Sequence, residues 1–360
     1  MLSEVRQAAM VPLWVAQLAT GAKSFERNLV IGNRRLNERG LHAARVTVAY
    51  KLAIARRRRL AGMISDADRA AFDRDGFVVR PNFLPAQQFA ALAAQVRAYR
   101  GPLREITEGD SLMRKIALDG KALAKLPALA AVLRSRYWCG LIRYAGCRDA
   151  EPVVWIQSIL RHACDGATDP QTFLHADTFH PTVKAWLFLT DVAEDAGPFT
   201  YVPGSHRLTA QRLAWEQQMS LFARHSPNAE DRQGSFRIDP AELASLGLPQ
   251  PRVFAVPANT LIVADTFGFH ARGPSARPSL RVEIWAYGRR SPFPSMAALV
   301  PWTTAALGRR SMLSWQFGDL LEAAGLTKNR WRARAGASPF DPPSSDIMGA
   351  EPTLDASRAI

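Results

Sequence analysis

The chain has 360 residues, 48% of them hydrophobic and 22% charged, a composition that excludes fibrous and disordered classes and is large enough to bury a core without disulfides or a structural metal. Its three cysteines, Cys139, Cys147 and Cys164, show no C-x-x-C spacing, which argues against a disulfide framework and a secreted protein. The net charge of +14 is carried by the flanks, with +9 in residues 1–62, +2 in 63–288, +6 in 289–334 and −3 in 335–360, so no nucleic-acid partner is expected.

In chain order, the opening residues carry Glu4 and Arg6 with no small-residue cleavage site, and the apolar run from Ala8 to Ala19 is too short to span a bilayer. Neither a secretory signal nor a transmembrane segment is expected. Residues 1–62 read as a basic amphipathic N-terminal arm. Within it, Leu41, Ala44, Val48, Leu52 and Ala55 form one helical stripe ahead of Arg56–Arg59. Such a helix either packs on the main domain or lies on an anionic membrane through residues 41–60. Ser65 with Asp66 and Asp68 starts a short helix that ends at the Asp75-Gly76 turn. The run FVVRPNFL follows, then a helix from Pro85 with Phe89, Leu92, Ala93 and Val96 on one face. Residues 121–145 are Ala- and Leu-rich and predict further helix.

After residue 150 the texture changes to short apolar runs broken by Gly, Pro and Asp: VVWIQSIL, TFLHAD, VKAWLFLTDV, FTYVPGS, RVFAV, NTLIVAD and LRVEIWAY. This series predicts a mainly β domain over 63–334, a sandwich or barrel with flanking helices. DVAEDAG at 191–197 reads as a hairpin loop, and 207–250 as a helical insertion forming a lid or rim. Residues 335–360, with four Pro and little apolar content, read as a disordered tail.

The informative chemistry begins with His175 and Asp177, because residues two apart on a strand point to the same face. An H-x-D pair alone is weak evidence. It gains weight from the segment NTLIVADTFGFHARGPSARPSLRVEIW, where a buried strand leads to His270 and, eleven residues on, Arg281 opens another strand. Two histidines and one carboxylate on neighbouring strands form the facial triad that holds non-haem Fe(II) with open positions. An inward Arg281 supplies a fork for a carboxylate deeper in the barrel.

Four segments together, FDRDGFVVRPNFLP, HAD at 175–177, GPFTYVPGSHR at 197–207, and His270 with Arg281, resemble the phytanoyl-CoA dioxygenase family of Fe(II)/2-oxoglutarate-dependent oxygenases, over roughly Phe72 to Tyr287. The resemblance implies a double-stranded β-helix of jelly-roll, cupin-like type in which His175, Asp177 and His270 ligate iron. It implies 2-oxoglutarate as cosubstrate, with Arg281 on its distal carboxylate and Trp186 either lining the pocket or packing in the core, and O2 as oxidant; Gln157, on the strand before the metal motif, faces either a neighbouring loop or the interior, where it would contact cosubstrate or water. The implied activity is hydroxylation of a small-molecule or acyl/lipid-like substrate with release of succinate and CO2. Position 272 departs from the family, with Arg where a small polar residue is common, which leaves Arg272 as an alternative carboxylate partner. Because Asp177 is retained, hydroxylation is favoured over halogenation.

Several residues compete with these assignments. His180 follows Asp177 by three and faces the opposite way on a strand; His206 reads as a structural turn residue; Asp265 reads as a hydrogen-bonded turn residue. Trp285 shares parity with Arg281 and is a candidate pocket wall, and the cysteines read as buried thiols. The rival functions are a metal-binding barrel that binds or senses without turnover, and a cupin-like dioxygenase without cosubstrate. The excess of Arg over Lys, 39 against 7, points to a GC-rich bacterial genome and a cytoplasmic protein, peripheral to the inner membrane if the arm binds lipid.

Overall fold

The computed structural model describes residues 2–164, 166–288, 290–294 and 303–343, with side chains from residue 9 onward. The predicted run of short strands appears as two antiparallel sheets facing each other. The larger contains, in chain order, β1 (Phe77–Arg80), β2 (Leu103–Glu108), β3 (Ser111–Ala117), β4 (Val153–Arg161), β5 (Val183–Phe188), β8 (Leu261–Asp265), β10 (Ser279–Gly288) and β11 (Arg332–Arg334). Their spatial order is β1-β8-β5-β10-β4-β3-β2-β11. The smaller sheet has β6 (Phe199–Tyr201) between β7 (Arg252–Phe254) and β9 (His270–Arg272). Chain crossing between two such sheets gives the double-stranded β-helix, open at one side rather than closed.

Period-two alternation decides what each face does. On β5, Val183, Ala185 and Leu187 point to the helices, and on β10 so do Val282, Ile284 and Ala286. They join Phe72, Leu92, Val96, Leu129, Trp138 and Leu141 in the largest apolar core. Inward-facing Trp186 and Phe188 pack against Phe199, Tyr201 and Phe254 of the smaller sheet and fill the space between the layers. Register carries the inward ring further: Trp285 lies opposite both Trp186 on β5 and Trp155 on β4, and Tyr287 lies opposite Lys184.

The first helices follow their sequence signals. The Ser65 side chain accepts from Asp68 N–H at the start of helix Asp66–Asp75, and Gly76 ends that helix at φ 87°, a left-handed conformation that glycine adopts without strain. Residues 207–250 form helices Ala210–Phe222, Ala229–Arg232 and Pro240–Ser245. Far from hanging free, they close a second core in which Trp215, Phe236, Ile238 and Leu243 meet Phe25 and Ile31 of the N-terminal segment.

Helix Leu41–Arg59 packs on the domain, and with the opposite face from the one its pattern suggests. Val46, Ala49 and Ala53 are buried, whereas Ala44, Val48 and Ala55 of the apolar stripe are exposed. The reason is polar: Arg45 donates to the carbonyls of Leu18, Thr20 and Ala22, and Arg57 forms a buried ion pair with Asp265 at 2.7 Å. Two arginines with internal partners turn their own side of the helix inward.

Two features had no sequence expectation. The hairpin β2–β3 is rich in charged residues, and its charges meet partners within the fold: Arg114 with Glu105 at 2.7 Å, Arg334 with Glu105 at 2.6 Å, and Arg104 with Asp319. Helix Thr304–Ala323 lies across β3 and β4. In the segment read as a tail, Ser338 is buried and Phe340 packs on the main core; residues 344–360 lie outside the described residues.

Candidate active site

TFLHAD does not form a regular strand. His175 makes single-residue bridges with Arg237 on one side and His270 on the other, and the two histidines exchange both main-chain hydrogen bonds, each at 3.0 Å. The backbone is nonetheless extended, so Asp177 lies on the same side as His175, tied by its N–H to Thr266 O at 3.0 Å. The imidazole centroids are 4.5 Å apart. Asp177 Oδ1 lies 3.7 Å from His175 Nε2 and 3.6 Å from His270 Nε2. One donor atom from each of the three residues lies within 4.8 Å of the others.

Tautomer and charge suit a divalent metal. His175 Nδ1 lies 2.8 Å from Phe173 O and His270 Nδ1 lies 3.0 Å from Gly268 O. A carbonyl only accepts, so both Nδ1 atoms carry the proton and both Nε2 lone pairs face Asp177. Burial holds both imidazoles neutral, His270 down to about 4 and His175 well below its ordinary value. For Asp177 burial alone would raise the carboxyl, but the Lys184 ammonium at hydrogen-bond distance outweighs it and holds it well below the usual range. Gly268 is required by packing, since a Cβ there would lie 1.9 Å from Tyr201 Oη.

Two lysines that the sequence reading did not assign reach Asp177. Lys184, inward on β5, places Nζ 2.8 Å from each carboxylate oxygen and 3.4 Å from His270 Nε2. Lys23, from the N-terminal segment, donates to the Asp177 main-chain carbonyl at 2.7 Å. In sequence, Lys184 looks like a solvent-facing strand residue; only its parity with Trp186 hints otherwise.

Arg281 is inward and buried, and its charge is met inside the fold. Its Nε lies 2.9 Å from Glu283 Oε2, out of line for a hydrogen bond, and its Nη1 donates to Gly197 O at 2.6 Å. Gln157 lies opposite Glu283 and donates to Glu283 Oε1 at 2.7 Å. Trp186 packs against Phe199, with centroids 4.3 Å apart. Arg272 pairs with the buried Asp169, which Arg161 also contacts at 3.0 Å. The structure therefore brings His175, Asp177 and His270 together, and groups Arg281 and Gln157 around Glu283.

The remaining candidates lie elsewhere. His180 Nδ1 bonds Pro181 O at 3.0 Å; His206 packs edge-on to Phe72; Asp265 accepts from Thr182 and Phe267 N–H while holding Arg57. Trp285 forms part of a half-buried aromatic stack, 5.1 Å from Trp155 and 5.4 Å from Tyr287. Lys115 Nζ sits 4.7 Å and 4.5 Å from the Trp155 and Trp285 rings and 5.4 Å from Trp331, and burial lowers it to about 8.

The sequence model described as phytanoyl-CoA dioxygenase matches residues 72–242. That span includes His175 and Asp177 and stops short of His270 and Arg281, whose placement rests on the geometry above. No curated protein matches this chain. Among solved structures, it is similar to the non-heme alpha-ketoglutarate-dependent carbocyclase SnoK of nogalamycin biosynthesis, at 20% identity and TM-score 0.41 over 62% of this chain and 83% of that one. It is also similar to the epimerase SnoN in complex with Fe3+ and alpha-ketoglutarate, at 20% identity and TM-score 0.40 over 63% and 83%. A third is HygX from Streptomyces hygroscopicus with nickel and 2-oxoglutarate, at 17% identity and TM-score 0.39 over 62% and 87%. The HAD motif at residues 175–177 lies inside the span that matches the phytanoyl-CoA dioxygenase model, and His270 is hydrogen-bonded across from His175, so over residues 72–242 the chain is similar to the phytanoyl-CoA dioxygenase family.

Proposed function

We propose that the protein hydroxylates a small-molecule or acyl/lipid-like substrate, with His175, Asp177 and His270 holding iron and Arg281 holding the distal carboxylate of 2-oxoglutarate. The observation that carries this reading is the pair of Nε2 lone pairs, each freed by an Nδ1–H bond to a carbonyl, facing one ionised carboxylate. When bound, iron and 2-oxoglutarate supply dioxygen activation: one oxygen atom enters a substrate C–H bond as hydroxyl, the other enters succinate, and CO2 leaves.

The chain's own residues position and protect. The carbonyls of Phe173 and Gly268 orient the imidazoles, and the bridge between His175 and His270 fixes their separation. The packed rings of Trp186, Phe188 and Phe199 keep bulk water from the inner end of the barrel. The half-buried faces of Trp155, Trp285 and Tyr287 suit an apolar chain or ring, and this supports an acyl or other largely apolar substrate. No helix among the described residues is long and apolar enough to cross a membrane. The exposed side of helix Leu41–Arg59, with Val48 beside Lys51, Arg58 and Arg59, supports peripheral contact of a cytoplasmic enzyme with an anionic membrane.

The test is anaerobic titration of the protein with Fe(II) and 2-oxoglutarate, followed by admission of oxygen. A weak visible charge-transfer band and slow succinate formation in the wild type, both absent in a folded Asp177→Ala variant, are expected. Iron binding without a band would favour the metal-binding module or the cosubstrate-free dioxygenase.

A further inference from the structure

Both anchor points of the site already have a partner of the charge the expected ligand would bring. Asp177, the only carboxylate of the triad, has the Lys184 ammonium 2.8 Å from each oxygen. Arg281 has the Glu283 carboxylate 2.9 Å from Nε. Neither contact is a surface pair: Glu283 is fully buried and Gln157 holds its other oxygen at 2.7 Å, while the Lys184 side chain is 14% exposed.

The two stand-ins also sit on the inward faces that the ligands would use. Lys184 lies on β5 opposite Tyr287, at the level of the triad, and Glu283 lies two residues beyond Arg281 on β10, on the same face. A divalent metal on Asp177 Oδ1 and the two Nε2 atoms would meet a like charge at close range. A carboxylate approaching Arg281 would meet another carboxylate. Both repulsions act in a buried, weakly screened interior.

We propose that Lys184 and Glu283 are internal surrogates for the metal and for the cosubstrate carboxylate, holding the site together before ligands bind and setting the concentrations at which each ligand displaces them. This rests on the functional reading above. Lys184 is suited to yield, because it is only partly buried and its flexible four-carbon stem can carry its ammonium off the triad. Glu283 can give up Arg281 and keep its hydrogen bond from Gln157. The assignment makes Lys184 a determinant of metal affinity and Glu283 a determinant of cosubstrate affinity, neither being a catalytic residue.

The experiment is calorimetric titration of the full chain with Ni(II), which does not react with oxygen, and then with 2-oxoglutarate on the nickel-loaded protein. Lys184→Met should tighten Ni(II) binding by about tenfold or more, because one adjacent like charge is gone. Glu283→Gln should tighten 2-oxoglutarate binding by a similar factor while leaving the Ni(II) affinity within about twofold of wild type. Lys184→Gln and Glu283→Ala serve as second variants should the first fail to fold, with thermal melts reporting integrity. Unchanged or weakened Ni(II) binding in the lysine variants, or unchanged or weakened 2-oxoglutarate binding in the glutamate variants, overturns the proposal and leaves the metal centre standing. A folded Lys184→Met protein that binds no Ni(II) at all overturns the metal centre itself.

Discussion

Arg57 offers the sharpest test of how the N-terminal helices serve the site. Its side chain is nearly buried, and Nη2 donates to Asp265 Oδ2 at 2.7 Å and to Ala145 O at 3.0 Å, while Nε reaches Tyr144 O at 3.3 Å. Asp265 passes that constraint on, because its Oδ1 accepts from Thr182 N–H just before β5 and from Phe267 N–H in the turn that leads to His270. Arg57→Met keeps the apolar stem and removes the charge, leaving a carboxylate in the interior with no counter-ion. Breaking a buried pair from one side costs about 3–5 kcal/mol. With an m-value of about 3 kcal/mol/M in urea, the unfolding midpoint should fall by about 1.3 M. Burial pushes the Asp265 carboxyl up and Arg57 opposes this. In the variant that carboxyl therefore protonates at higher pH in the folded state than in the unfolded one, and the deficit should narrow as pH falls toward the carboxylate range. Adding Asp265→Asn to Arg57→Met should recover a large part of the loss. A midpoint shift below about 0.3 M, or a double variant no better than the single one, would refute the account.

Two more outcomes follow from the same packing. Lys115 titrates at about 8 in the fold, against an ordinary value of 10.5, so the folded protein sheds its proton first and stability should rise as pH climbs from 8 to 10.5. The gain is about 3 kcal/mol at most, and Lys115→Met should flatten that slope in urea melts taken across the window. Gly268→Ala puts a methyl group against Tyr201 Oη and Ser205 Oγ, next to the carbonyl that orients His270. It should cost about 1–3 kcal/mol and weaken Ni(II) binding; full retention of both would show that the turn can relax without moving the ligand.

Alternation along β5, β8 and β10 made the sheet and the inward parity of Arg281 legible, because a two-residue period survives whatever the partner strand is. The pair His175 and Asp177 was legible for the same reason, although its segment is a bridge rather than a strand. Lys184 and Glu283 were not. A charged residue alternating with apolar ones reads as the wet face of a half-buried strand, and nothing local says that this face looks into a second sheet. The helix Leu41–Arg59 misled for a related reason: the face with the better apolar count lost to the face whose arginines find Asp265 and the 18–22 carbonyls, partners up to 208 residues away. The hairpin β2–β3 hid behind its charges, since Glu105 and Arg114 are cross-strand neighbours only once the turn at 109–110 has formed.

The reciprocal main-chain bonds between His175 and His270 give the protein a register mark. A slip of one residue at that bridge would turn an imidazole to the far side of the ladder and leave a lone histidine beside Asp177. Segments 95 residues apart in sequence must therefore align to the residue before any ligand can be gripped. A bound metal in turn would clip that alignment shut, so hydrogen exchange at the His175 and His270 amides should report metal loading even with no substrate in sight.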